Sequence, residues 1–135
     1  MIIDSSNREE LNSLNFSDYI FEGFSYEYNA DTLTFSCLDQ TENKQYHVSF
    51  RQAVLFNMQS CSLWGGGNAI YCIYYQDESH VLTQLRQIKS NNLGKLDKSK
   101  LDHEVDYLCI SVCLNSGDEL VVLCESVEIV CDNTV

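Results

Sequence analysis

Apolar and polar residues alternate along most of this chain, and a two-residue period predicts β-strands. The alternation covers residues 24–28 and 32–37, on either side of a turn at Asn29–Asp31. This arrangement predicts a hairpin with one solvent-exposed face. Alternation resumes over residues 45–58, which predicts one long, bent strand or two shorter ones.

The second half of the chain contains further strand patterns. Residues 69–75 form an almost unbroken apolar run, which predicts a central strand covered on both faces. Residues 106–114 and 119–124 flank the sequence Asn-Ser-Gly-Asp at 115–118, a strong hairpin-turn signal. Alternation at 127–131 predicts a final edge strand.

Two segments carry helix signals instead. Apolar residues at i, i+1, i+4 and i+7, from Val81 to Ile88, predict an amphipathic main helix at about residues 78–91. Ser6 and Glu9 have the spacing of a capping box, which predicts a short N-terminal helix.

Consecutive strands with one late helix predict an α+β domain, in which a mainly antiparallel sheet of about 6–7 strands curls against the helix. A closed or half-closed barrel is the competing arrangement. A length of 135 residues fits one domain, 1–135. The chain has neither the start of a signal peptide nor an apolar run of about 18 residues, so we expect a cytoplasmic protein without a membrane segment.

The charge is distributed unevenly. Residues 1–43 have a formal net charge of −8, residues 44–100 of +4 and residues 101–135 of −8, which gives −12 for the chain. Such a balance opposes nucleic-acid binding and favours a basic protein partner. We therefore predict contacts to that partner from the tryptophan of the Gly-rich segment and from acids of the last third: Trp64, Asp102, Asp106, Asp118, Glu119, Glu125 and Glu128.

Motifs for catalysis or cofactor binding are weak by comparison. The segment Trp64–Gly67 has no Lys-Ser/Thr pair after its glycines, unlike a phosphate-binding P-loop. Asp102, His103, Glu104 and Asp106 form the densest group of metal-ligating residue types, but neighbours on a strand point to opposite faces. The sequence therefore predicts no catalytic residue, no metal site and no cofactor.

Seven cysteines are an odd number, which together with the absence of an export signal favours reduced thiols. If the last hairpin turns at Ser116–Gly117, Cys109 lies opposite Cys124. That pair is then either two packed core thiols or a disulfide.

The segment Asn115–Ile129, NSGDELVVLCESVEI, and the Trp64–Gly65 turn after a mid-chain strand resemble small bacterial proteins of unknown function, including families described as immunity proteins of polymorphic toxin systems. The resemblance covers about a quarter of the chain, and it transfers no functional residue. It implies a one-domain cytosolic inhibitor that blocks a toxin by surface complementarity.

Three hypotheses for function follow. The first is a non-enzymatic acidic protein that binds a basic partner, with an immunity role as its sharpest form. The second is a ligand-binding or enzymatic α+β domain with a pocket lined by tyrosines from Tyr26, Tyr28, Tyr46, Tyr71, Tyr74 and Tyr75. The third is an assembly component that pairs with another copy through an edge strand near Val127–Val130.

Overall fold

A computed structural model describes residues 1–59, 68–76 and 107–132. In these residues the chain forms nine strands and one 3₁₀ helix: β1 (Ile2–Asp4), η1 (Arg8–Ser13), β2 (Ile20–Glu27), β3 (Thr32–Asp39), β4 (Lys44–Arg51), β5 (Leu55–Gln59), β6 (Ile70–Gln76), β7 (Leu108–Leu114), β8 (Glu119–Cys124) and β9 (Ser126–Asp132).

The strands form two antiparallel sheets. Sheet A has the order β1-β9-β4-β3-β2, and sheet B has the order β5-β8-β7-β6. Three hairpins join neighbours in the chain: β2 with β3, β3 with β4, and β7 with β8. The predicted hairpins over 24–37 and 106–124 are therefore confirmed.

Two pairs of consecutive strands pass from one sheet to the other. The chain bends between β4 and β5, where Gln52 has a φ of 52° and Ala53 is buried. It bends again at Glu125, between β8 and β9. The Glu125 amide donates to the Arg51 carbonyl at 3.0 Å. Because the two bends are paired, β4–β5 and β8–β9 act as a long, bent ribbon shared by both sheets. The alternation at 45–58 thus corresponds to two strands.

A short antiparallel bridge joins the sheets elsewhere. Ile20 at the start of β2 pairs with Ala69, just before β6. The Ile70 amide donates to the Tyr19 carbonyl at 2.7 Å, and the Phe21 amide donates to the Asn68 carbonyl at 2.9 Å. The fold is therefore intermediate between a two-sheet sandwich and the half-closed barrel that the sequence left open.

The core lies between the two sheets. Phe35 and Phe50 from sheet A and Ile110, Val112 and Val122 from sheet B are fully or almost fully buried there. Burying side chains of this size supplies most of the stability of such a domain. The outer side of sheet B has a small apolar cluster of its own, centred on the buried Cys109 and Leu123, so the polar, solvent-facing side of the described fold is that of sheet A.

The predicted α+β class is wrong. The described residues are mostly antiparallel sheet, and the core is filled by two sheets that face each other rather than by one sheet against a helix. The segment predicted as the main helix, 78–91, lies outside the described residues. Nine strands in the described part also exceed the 6–7 predicted.

The short N-terminal helix differs from its prediction as well. It is a 3₁₀ helix that begins after Asn7, and no side chain caps it. The Ser6 hydroxyl donates to the Asp4 carboxylate instead, so the capping box is not formed. Leu11 is buried and anchors the segment.

The positions of two strands also differ from expectation. β9 lies between β1 and β4, with Val127 opposite both Ile3 and Phe50, so Val127 is not on a free edge. β6 lies at an end of the described sheet B, whereas β7 is the buried central strand. Among the described residues, the length and hydropathy of the helices exclude a membrane-spanning helix.

Candidate functional site

The solvent-facing side of sheet A, here called the outer face, brings together carboxylates from distant parts of the chain. Strand alternation directs Ile3, Val127 and Phe50 into the core and their neighbours outward. Five acids project on or along this face, two from β2 and three from β1 and β9: Glu22, Glu27, Asp4, Glu128 and Asp132. The pairing of β1 with β9 is what joins the N-terminal acids to the C-terminal ones.

The two middle strands, β3 and β4, present hydroxyls and an imidazole between these acidic borders. Thr34 Oγ1 lies 3.0 Å from Ser49 Oγ, and Ser36 Oγ lies 3.0 Å from His47 Nδ1. Each pair joins residues that are directly opposite across the two strands. The centre of the outer face is therefore formed by hydroxyls and one imidazole.

A groove of about 420 Å³ runs along the β2 side of this face. Gln45 Nε2 donates to Glu22 Oε1 across it at 2.8 Å, and this bond orients the Glu22 carboxylate without neutralising its charge. The lining is mostly short and polar: Glu22, Gly23, Phe24, Ser25, Thr34, Ser36 and Gln45.

A β-bulge shapes the groove. The register of β2 against β3 shifts between Phe21 and Gly23, and Gly23 has a φ of 120°. Only glycine adopts that conformation without strain. The extra residue is Glu22, so the bulge places its side chain at the groove instead of on the regular strand surface.

Replacing Gly23 with alanine is expected to lower the free energy of unfolding by about 1–2 kcal/mol, because a side chain at this positive φ is strained. No atom lies within 4 Å of the added Cβ, so strain is the cause rather than a clash. Chemical denaturation measures the effect. Ser25→Ala, two residues along the same strand, is the control and should change stability by less than about 0.5 kcal/mol.

Basic residues neutralise this face only in part. Arg51 at the end of β4 forms an ion pair with Glu128, and Lys44 at the start of β4 pairs with Glu42 at 2.9 Å. Both pairs are substantially exposed, so each contributes little to stability. Arg51 is the one Lys or Arg residue at the outward positions of the described strands of sheet A, and the face keeps a negative charge.

Of the four predicted partner-binding residues that the structure describes, one, Glu128, lies on this face. Asp118 lies in the β7–β8 turn, where its carbonyl accepts from the Leu114 amide at 2.9 Å. Glu119 begins β8 opposite Cys113, and Glu125 lies at the bend after β8. The predicted residues Trp64, Asp102 and Asp106 lie outside the described residues.

Four of the five acids on this face were missed as site residues: Asp4, Glu22, Glu27 and Asp132. For Glu27 the sequence did contain a signal, because the alternation of Phe24 and Tyr26 with their neighbours assigned it to the polar side of the hairpin. Glu22 had no comparable signal, since its position depends on the bulge at Gly23.

A second polar cluster lies at one end of the core. The rings of Phe16, Tyr19 and Tyr46 pack together with centroids 5.1–5.5 Å apart, and Tyr19 stacks on the other two. Burial raises the pKa of the Tyr19 hydroxyl, and the adjacent Tyr46 and Asp39 raise it further. Asp39 is nearly buried and accepts from the Thr41 amide at 3.0 Å. With its rings in contact and its polar atoms bonded, the cluster has a structural role.

The tyrosines proposed to line a pocket are dispersed. Tyr26 and Tyr28 are in edge-to-face contact at one end of the fold, Tyr46 belongs to the stacked cluster, and Tyr71, Tyr74 and Tyr75 are on β6. None of the six lines the groove.

Comparisons of the chain with protein-family models, with curated proteins and with solved structures find no match. The functional argument therefore depends on the geometry and charge of the outer face.

Proposed function

We propose that this protein is a non-enzymatic acidic interaction protein that binds a basic protein partner through the outer face of sheet A. In its sharpest form the partner is a bacterial toxin, and the protein is an inhibitor of the immunity type. The observation that supports the proposal is the position of five carboxylates, from both ends of the chain, around one solvent-facing sheet surface.

The layout of the face suits a protein partner. Four strand spacings separate β1 from β2, so the two acidic borders are about 20 Å apart. That separation matches the width of a protein–protein contact better than that of a small ligand. Carboxylates at the borders attract a basic partner and accelerate its approach, while the hydroxyls of β3 and β4 offer hydrogen bonds at the centre.

The test is affinity capture from a lysate of the source organism, followed by titration of the purified partner. Removing three charges from the face with Glu22→Gln, Glu27→Gln and Asp132→Asn should weaken binding about tenfold or more, since each exposed charge pair contributes up to about 1 kcal/mol. Wild-type affinity should also fall as salt rises from 50 to 500 mM. Added salt shortens the Debye length and so weakens the attraction between exposed charges on the two proteins.

A matched control removes the same three charges elsewhere, with Glu9→Gln, Glu10→Gln and Asp118→Asn. We expect this variant to bind with nearly wild-type affinity, because η1 and the β7–β8 turn are not part of the outer face. Equal loss in the two triple variants, or an affinity that does not depend on salt, contradicts the proposed surface.

A further inference from the structure

Two thiols face each other on neighbouring strands of sheet B. Cys72 on β6 is in register with Cys113 on β7, directly after an irregularity between Ile70 and Cys72. The next pair, Ile73 and Val112, points into the core. Both cysteines therefore lie on the outer side of sheet B.

Their geometry is that of a pair that can be bridged. Directly opposed residues of an antiparallel pair have Cα atoms about 4.5–5.5 Å apart, within the range of about 4.4–6.8 Å that a disulfide requires. The two thiols are close enough to interact, since Cys72 contributes to the raised pKa of the Cys113 thiol. Each cysteine is only partly buried and is present as a free thiol, so a small reagent can reach the pair.

The pair predicted from the sequence is not in register. Cys109 lies opposite Leu123, and Cys124 lies opposite Leu108. Both cysteines are also almost completely buried. Cys72 and Cys113 thus differ from the Cys109–Cys124 pair in register and in access.

We propose that Cys72 and Cys113 form a thiol–disulfide exchange site that reacts with small, soluble disulfides of the glutathione class. This inference is independent of partner binding by sheet A. It assigns a covalent modification to the opposite side of the molecule.

The exchange proceeds in two balanced steps. The Cys72 thiolate attacks one sulfur of the small disulfide, breaks its S–S bond and releases one thiol. The Cys113 thiolate then attacks the Cys72 sulfur of the mixed disulfide and releases the second thiol. Two protein thiols have lost two electrons and two protons, and the small disulfide has become two thiols.

The local environment determines the rate. Burial raises the pKa of the Cys113 thiol to about 12, with the neighbouring Cys72 and Glu119 adding to the effect. The thiolate is the reactive form, so closure by Cys113 is slow near neutral pH and accelerates as the pH rises. Closure joins β6 to β7 where their register is irregular.

The experiment incubates the purified full chain in glutathione buffers of increasing oxidised fraction at pH 8, then alkylates the remaining thiols. Mass spectrometry of the digested protein should show loss of two hydrogen atoms and a peptide in which Cys72 is linked to Cys113. The disulfide closes a long loop, so the melting temperature should rise by about 10 °C and return on reduction.

Two serine variants and one control complete the test. In the Cys113→Ser variant the exchange should stop at the mixed disulfide of glutathione with Cys72. The Cys72→Ser variant should form no linked peptide. Cys131→Ser, which replaces the exposed cysteine of β9, should still form it. The proposal is overturned if both thiols stay alkylatable in the most oxidising buffer, if the linked peptide contains another cysteine, or if the wild type retains the adduct on Cys72.

Discussion

Replacing Phe35 with alanine is expected to lower the free energy of unfolding by about 3–5 kcal/mol, because it opens a cavity in the centre of the core. The Phe35 side chain is 1% exposed, and its ring lies 5.4 Å from that of Phe21 and 5.8 Å from that of Phe50. Denaturant unfolding followed by circular dichroism measures the loss. The expected loss is a large fraction of the total free energy of unfolding of a typical domain, about 5–15 kcal/mol.

Phe24→Ala is the matched control, on the strand next to Phe35. Phe24 is 39% exposed and contacts one other ring, that of Phe56, at 6.2 Å. Its replacement should cost less than about 2 kcal/mol, since less apolar area returns to water. Equal losses in the two variants would show that the core does not lie between the two sheets.

Stability is expected to fall steeply as the pH rises from 9 to 12, and Cys37 is a principal cause. Its thiol is fully buried, and burial raises its pKa from 9.0 to about 12, with Glu22 and Asp39 adding to the shift. In the unfolded chain the thiol ionises near pH 9, whereas in the folded protein it stays protonated. The stabilisation that the protonated Cys37 thiol gives to the folded state is therefore complete below pH 9. It is lost at about 1.4 kcal/mol per pH unit up to pH 12.

The measurement is the free energy of unfolding at half-unit steps of pH between 8 and 11.5. Cys37→Ala should be less stable near neutrality, because its smaller side chain packs less well, but its stability should decline less steeply above pH 9. Tyr19, whose pKa burial also raises, contributes a decline above about pH 10 in both proteins. Parallel curves for the two proteins would exclude Cys37 as a cause.

Strands and hairpins could be predicted from the sequence because alternation and turn chemistry are local signals. The 24–37 hairpin shows this, with its strands where the pattern indicated them. Register was harder to predict. The last hairpin closes with the Leu114 amide donating to the Asp118 carbonyl and with Gly117 at a φ of 91°, and this shift moves Cys109 from Cys124 to Leu123.

The fold class depended on contacts between distant segments, which alternation does not encode. The pairing of β1 with β9 joins residues at opposite ends of the described chain, and a three-residue strand such as Ile2–Asp4 has too few positions to show a period. The apolar sides of the predicted strands indicated that a core exists. They did not indicate that a second sheet, rather than a helix, would fill it.

The negative charge of the candidate site could be predicted from the sequence, but the residues that form the site could not. The sequence indicated acids at both ends of the chain, and the outer face does combine Glu22 and Glu27 with Glu128. Asp118 and Glu125 are separated by the length of β8, six residues or about 20 Å. Acids that are near each other in sequence therefore fall on different surfaces once the strand turns a corner.

The pairing of β1 with β9 has a consequence for how this protein is made. The Met1 amino group donates to the carbonyl of Ile129, 128 residues later, and β9 also separates β1 from β4 in the sheet. During translation β1 therefore has no partner among the described strands until β9 has left the ribosome. Non-local pairing of this kind folds slowly, so sheet A is completed late, and a nascent chain that stops before residue 126 leaves the backbone N–H and C=O groups of β1 and β4 that β9 would pair without those partners.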